Sequence, residues 1–324
     1  MTEWTMSGAL NRALRDALDD DPRVVVFGED VGRSGGVFRV TDGLQASFGD
    51  RRVFDTPISE AGIVGAAVGL CFAGWRPVVE LQFDAFSYPA FEQIVDHLAK
   101  MRMRVRGRVD IPVTIRIPSF GGIKGKEHHG ESPETYYAHT AGLKVVAPSS
   151  ALDAYRLLRR AIEDPDPVIV LEPKARYWSK ETGELSADGP GIGEARIVRS
   201  GDDVTLVAYG GMLTRTLDAA AALAEGGVSA RVVDLRSLAP LDDDLLARCA
   251  RETGRVVVVH EAPRSVGLGA EVAARVMELA FDHLQAPVGR VTGWDVPYPP
   301  AALEQHYLPT VERICEAAQA AVSY

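Results

Sequence analysis

Short runs of β-branched and other apolar residues, each followed by a stretch with helical periodicity, recur along this chain. That alternation restricts it to folds in which a mainly parallel sheet is covered on both faces. Ser7 is placed to cap a helix whose Leu10, Leu14, Ala17 and Leu18 share one face, and residues 23–27 then read as a buried strand. The pattern continues with a helix at 61–73, a strand at 77–82, a helix at 88–104 and strands at 111–117 and 143–146. A helix opened by Ser149 or Ser150 runs to Ile162, and a strand follows at 167–171. Between Pro173 and Gly201 the pattern lapses into Gly, Pro, Ser and charged residues. A second alternation then places strands at 204–208, 230–234 and 255–260 and helices at 213–224, 243–253 and 270–281. Two α/β domains are expected, at 1–185 and 186–324, since a chain of 324 residues exceeds the usual size of one core.

The formal charge of -10 argues against a nucleic-acid partner, because phosphate binding is driven by Lys and Arg releasing counterions. Cys71, Cys249 and Cys315 form no CxxC pair, so neither a zinc site nor a disulfide framework is expected, and a reducing cytoplasm fits. The start of the chain lacks a basic segment followed by an apolar run, which argues against a secretory signal. The most apolar window, 61–75, is shorter than the roughly 20 residues of a membrane span, so a buried helix and no membrane association are expected.

Chemistry concentrates in a few segments. Asp55-Thr-Pro-Ile-Ser-Glu60 feeds the helix at 61–73, so Glu60 stands near a helix start, where free backbone donors and the dipole favour a carboxylate. Ordinary capping would explain that residue. The helix behind it, however, is apolar on every side and carries Ala61, Gly65 and Gly69 at four-residue spacing, which suits close packing on another backbone. Gln82 and Phe86 follow the strand at 77–82, where a parallel sheet presents its ligand crevice. Glu127-His128-His129-Gly-Glu-Ser-Pro-Glu134 is the most polar cluster of the first domain, readable as a solvated loop or as a site of proton transfer. Gly267-Leu-Gly-Ala-Glu-Val272 is a partial dinucleotide fingerprint, with Val272 where a third glycine is required.

Gly28-Glu-Asp-Val-Gly32, Gly35-Gly-Val-Phe-Arg-Val-Thr41, the segment ending at Glu60, Pro77-Val-Val-Glu-Leu-Gln-Phe83 and Ala90-Phe-Glu-Gln-Ile-Val95 resemble successive signatures of one family. Gly142-Leu-Lys-Val-Val-Ala-Pro148, Asp234-Leu-Arg-Ser-Leu-Ala-Pro-Leu241 and Val259-His-Glu-Ala262 extend the likeness across nearly the whole chain. The family is that of the E1 β subunits of pyruvate and branched-chain 2-oxo acid dehydrogenase complexes. The resemblance implies a transketolase-like pyrimidine-binding domain followed by a transketolase C-terminal-type α/β domain, each with a largely parallel sheet. It implies that thiamine diphosphate binds beside Ile58, Glu60, Gln82 and Phe86, with Glu60 bonding N1′ of the aminopyrimidine. Proton sharing there favours the tautomer whose 4′ nitrogen removes the thiazolium C2 proton. His129 matches the family's active-site histidine, with Gly130 and Glu131 replacing the usual serine and glutamine; His128 is its rival. Phe86 stands where tyrosine is frequent. A structural potassium ion is implied at Ile111, Ala161, Ile162, Asp164 and Asp166, an acidic turn that would otherwise read as solvated.

No Gly-Asp-Gly occurs in the chain, and Gly201-Asp-Asp203 is the nearest approach. A diphosphate needs a cation and backbone donors. The Mg²⁺ ligands are therefore expected on an E1 α subunit in an α₂β₂ heterotetramer, with an E2 dihydrolipoyl acyltransferase as the further partner. The expected reaction is oxidative decarboxylation of a 2-oxo acid and reductive acylation of the lipoyl group of E2. The 127–134 cluster and Leu171-Glu-Pro-Lys174 favour a branched-chain substrate over pyruvate or acetoin. A non-catalytic assembly subunit is the alternative from another class, and it leaves Glu60 and His129 unexplained.

Overall fold

In the computed structural model, which describes residues 2–324, the expected alternation becomes three sheets. The first half contributes β1 (Thr2–Thr5), β2 (Val24–Gly28), β3 (Val53–Asp55), β4 (Arg76–Glu80), β5 (Thr114–Ser119), β6 (Lys144–Val146), β7 (Val168–Pro173) and β8 (Lys180–Gly183). The second half contributes β9 (Arg196–Arg199), β10 (Val204–Ala208), β11 (Ala230–Asp234), β12 (Ser237–Ala239), β13 (Val256–Pro263) and β14 (Gly289–Gly293). The larger sheet has the order β12-β6-β7-β5-β4-β2-β3 and the smaller β14-β13-β10-β11-β9. Within these two sheets pairing is parallel except at the edge strands β12 and β9, and the third sheet is the antiparallel pair β1-β8. The interior strands β2, β7 and β10 are buried at every residue, which is why they are apolar runs without alternation.

Helices Met6–Asp20 and Ala151–Glu163 cover one face of the larger sheet through Leu10, Leu14, Leu157 and Leu158. Helix Glu60–Phe72 covers the other, and the core there runs on without a break into Val207, Leu235 and Val258 of the second half. β12 reinforces this joint by leaving its own half to pair with β6. Beside it, the fully buried Arg236 donates to Asp153 at 2.6 Å and to the carbonyl of Pro190 at 2.8 Å, tying the connecting segment to both halves.

Several elements differ from the sequence expectation. Thr5, not Ser7, caps the first helix, its hydroxyl accepting from Gly8 N at 3.1 Å; Ser7 already lies inside the first turn. The continuous helix expected at 88–104 is a 3₁₀ turn (Ala85–Ala90), a π turn (Gln93–Leu98) and an α segment (Ala99–Arg104). Pro89, which has no N–H to donate, lies inside the first of these. Residues 173–201 are not structureless, because β8 pairs with β1 and β9 with β11. Helix Glu60–Phe72 is buried on one side only: Gly62, Ala66, Gly69 and Phe72 are exposed in the single chain.

Candidate active site

Loops leaving the carboxyl ends of the adjacent strands β5, β4, β2 and β3 open on one edge of the larger sheet, the ordinary position of a ligand crevice in parallel α/β architecture. After β3, the chain reaches Ser59 and then Glu60, the first residue of its helix. Ser59 makes no side-chain cap. Glu60 is half-buried and has no hydrogen-bond partner among the described residues, so its carboxylate lies in the positive end of the helix dipole without being used there. Ile58 is 84% exposed, an apolar side chain outside any core of this chain.

The loop after β2 brings Glu29, a residue that sequence reasoning included in a motif without singling it out. It is 8% exposed, and its Oε1 has no hydrogen-bond partner among the described residues. Burial first, and then the charge of Glu60, raise its pKa above the usual carboxylate value. The crevice thus brings two carboxyl groups close enough for the charge of one to act on the other. Gln82, after β4, spans to the same loop, its Nε2 donating to Asp30 Oδ2 at 2.9 Å and to the Glu29 carbonyl at 3.3 Å.

Phe86 lies edge-on to Phe83 with ring centroids 5.6 Å apart and to His129 at 5.4 Å. His129, on the loop after β5, lies 4.0 Å from the Phe83 ring and 4.2 Å from His128. The neighbours differ in setting: His128 is exposed and His129 half-buried. Beneath this edge, the fully buried Arg116 donates to Glu80 at 2.6 Å and to both oxygens of Glu172 at 2.7 and 2.8 Å. Tyr177 donates to Glu172 at 2.6 Å. Those charge-assisted bonds link β4, β5 and β7 below the loops that carry the candidate residues.

The proposed potassium ligands do gather: Ile111 N donates to the Pro165 carbonyl at 2.9 Å, and Ala161, Ile162, Asp164 and Asp166 surround the same turn. Two protein cations already use its oxygens. Arg76 donates to the carbonyl oxygens of Ile162 and Asp164 at 2.5 and 3.2 Å, and Lys144 donates to both carboxylate oxygens of Asp164 at 2.8 Å. The oxygen donor set has the right chemistry for a monovalent cation, and of its members Arg76 and Lys144 already engage those of Ile162 and Asp164, while the Ile111 carbonyl accepts from Val113 N at 2.8 Å.

The other motifs have packing explanations. Asp203 accepts from Ser229 N at 2.7 Å and pins the connection into β11. Gly267 and Gly269 lie against the buried His260, where an added methyl carbon would come within 2.7 Å of the ring. Burial pushes His260 down to about 4, so it packs as a neutral ring. A cavity of about 570 Å³ between the two halves, lined in part by Phe91, Tyr136, Val266 and Tyr298, contains neither Glu60 nor His129.

Comparison with known proteins resolves the family. The transketolase pyrimidine binding domain matches residues 2–179 and the transketolase C-terminal domain matches 193–314. The chain is 56% identical over 313 residues to the 3-methyl-2-oxobutanoate dehydrogenase subunit beta of Mycobacterium tuberculosis, covering 96% of this chain and 90% of that one. The chain belongs to the E1 β-subunit family of the 2-oxo acid dehydrogenases. It is also 54% identical over 319 residues to the pyruvate dehydrogenase E1 component subunit beta of Leifsonia xyli, covering 98% and 95% of the two chains. A solved split-gene transketolase, described as an inactive beta4 tetramer, superposes with a TM-score of 0.80 at 28% identity and 98% coverage of both chains. Thiamine diphosphate is the cofactor of this E1 family, and related E1 β subunits are parts of multi-subunit dehydrogenases.

Proposed function

We propose that this E1 β subunit acts with an α subunit, as an α₂β₂ heterotetramer, in the oxidative decarboxylation of a branched-chain 2-oxo acid and acyl transfer to the lipoyl group of E2. The observation that carries the reading is Glu60: a half-buried carboxylate at the mouth of an apolar helix, without a side-chain hydrogen bond among the described residues and close enough to the buried Glu29 for its charge to act there. Such a group fits a ligand nitrogen that shares a proton with it. Bound thiamine diphosphate supplies the electron sink for decarboxylation. Glu60 would hold the proton at N1′, Ile58 and Phe86 would flank the pyrimidine ring, and Gln82, which donates to the Glu29 carbonyl and to Asp30, would keep that loop beside it. His129, backed by the Phe83 and Phe86 rings, supplies a proton or a donor to developing negative charge.

The Mg²⁺ and diphosphate ligands belong to the α subunit, because the chain contains no Gly-Asp-Gly segment. The exposed Gly62, Ala66 and Gly69 on helix Glu60–Phe72 support a close helix contact with a neighbouring subunit. The reading routes no step through potassium, for which Ile111, Ala161, Ile162, Asp164 and Asp166 remain the proposed ligands, with Ile162 and Asp164 shared with Arg76 and Lys144. For the substrate, the support is the 56% identity to a 3-methyl-2-oxobutanoate dehydrogenase subunit against 54% to a pyruvate dehydrogenase subunit. Calorimetric titration tests the split site: thiamine diphosphate should bind this chain weakly and bind tightly, with Mg²⁺ dependence, once the α subunit is added. Tight Mg²⁺-dependent binding to the isolated chain would rule the split site out. Comparing kcat/KM for 3-methyl-2-oxobutanoate and pyruvate in the reconstituted enzyme decides the substrate.

A further inference from the structure

The loop that carries His129 is closed at its neck by Phe120 N donating to the Glu131 carbonyl at 3.0 Å. Three of its backbone donors, those of Gly121, Gly122 and Lys124, are taken by carboxylates of the other half of the chain. Glu304, 1% exposed, accepts from Gly122 N at 3.1 Å, from Lys124 N at 3.1 and 3.2 Å, and from the Tyr298 hydroxyl at 2.7 Å. Glu261, also buried, accepts from Gly121 N at 2.8 Å. The Tyr298 ring fills the space against both ends of the loop: a methyl carbon added to Gly121 would lie 2.0 Å from its hydroxyl, and one added to Gly130 would lie 2.3 Å from its ring. Gly121 and Gly130, the latter where the family usually has serine, thus together admit Tyr298.

Phe120 and Lys124 adopt positive φ, 72° and 54°, a conformation that side-chain-bearing residues hold only when their surroundings over-determine it. Here those surroundings are two buried carboxylates and an aromatic ring supplied by residues 261, 298 and 304. Charge-assisted bonds from backbone N–H to carboxylate are stronger than neutral ones, and three donors converge on a single carboxylate.

We propose that Glu304, held by Tyr298, is a positioning residue: a strut from the second domain that fixes the His129 loop against Phe83 and Phe86. The proposal rests on the reading of His129 as a catalytic residue. It is the geometry of that imidazole, not the stability of the whole fold, that Glu304 controls, since misplacing a catalytic group by an ångström can cost about 100-fold in rate.

The test uses the reconstituted α/β enzyme and two readouts. Trypsin cleavage after the exposed Lys124 and Lys126 reports the loop, and decarboxylation with an artificial electron acceptor reports the imidazole. Glu304→Ala should accelerate cleavage at these lysines and lower kcat by about tenfold or more, with KM changed much less. Glu304→Gln, whose amide oxygen still accepts from Gly122 and Lys124, should recover part of both. In a His129→Ala background, Glu304→Ala should cost less than about twofold further, because two residues acting through one group are not additive. Should Glu304→Ala fail to fold, Glu304→Gln and Tyr298→Phe decide on the same readouts. Unchanged cleavage, native turnover despite faster cleavage, or full additivity with His129→Ala would each overturn the proposal. Native turnover in His129→Ala alone would instead identify the underlying reading of His129 as the error.

Discussion

A carboxylate at the first position of a helix ordinarily serves its own backbone, and Glu60 does not. It is half-buried and stands near the buried Glu29, a position from which its carboxylate can serve a ligand. Glu60→Gln should keep the fold and lower turnover by about 100-fold or more, because an amide cannot share the proton in the same way. Exchange of the cofactor's C2 proton, followed by NMR in the reconstituted enzyme, measures the step directly; a native exchange rate would remove Glu60 from its assigned role. Glu29 was missed as an individual because nothing in Gly28-Glu-Asp distinguishes a buried carboxyl from a solvated turn. Its neighbours come from far along the chain: Gln82 donates to its carbonyl, and the charge of Glu60 acts on its carboxyl.

At the scale of elements, the segment after the His129 loop shows how packing sets protonation. Helix Glu134–Ala138 begins with a fully buried glutamate that accepts from Tyr209 at 2.6 Å across the domain joint. Burial pushes the Glu134 carboxyl up to about 7, with the Tyr209 bond opposing the shift. In the unfolded chain it titrates near 4.5. The folded chain therefore binds this proton more tightly, so the stabilisation is complete below about 4.5 and is lost as pH rises toward 7, on the order of 3 kcal/mol. Glu134→Gln, which keeps an acceptor for Tyr209, should have a melting temperature that gains on the native chain as pH rises from about 5 to 8. A difference independent of pH would contradict this origin. The Arg116 network differs in kind: removing the guanidinium would leave Glu80 and Glu172 buried without their cation, a loss of about 3–5 kcal/mol.

For the whole molecule, the two halves are joined by a continuous core, by β12 and by Arg236, while helix Glu60–Phe72 keeps an open apolar face. Both features suit a subunit that is rigid in itself and completed by others. The formal charge of -10 of the whole chain also bears on the proposed E2 partner, since it would attract a basic binding module. Association with E2 should then slow as salt rises, since surface charges are screened beyond about 10 Å at roughly 0.1 M. Stopped-flow association rates measured across a salt series test this, and a flat profile would exclude electrostatic steering.

The alternation of apolar runs and helices determined the α/β class and most interior strands, because a strand buried on both faces must be apolar at nearly every position; 204–208, 230–234 and the helix 243–253 match the structure residue for residue. The same signal missed β1, β8, β9 and β14, which are short and in part exposed, so that their identity comes from a partner strand and not from composition. Gln82, Phe86 and His129 were legible as candidates because each follows an expected strand, and Glu60 because it opens an apolar helix; the family resemblance supplied their roles. Which side chains meet was decided only by tertiary structure. Glu29 reaches Glu60 and Gln82 through strand order, and Glu304 and Tyr298 reach the His129 loop through a core shared by the two halves. Sequence periodicity describes how a segment faces its own layer, whereas such long-range convergence depends on how the layers are stacked.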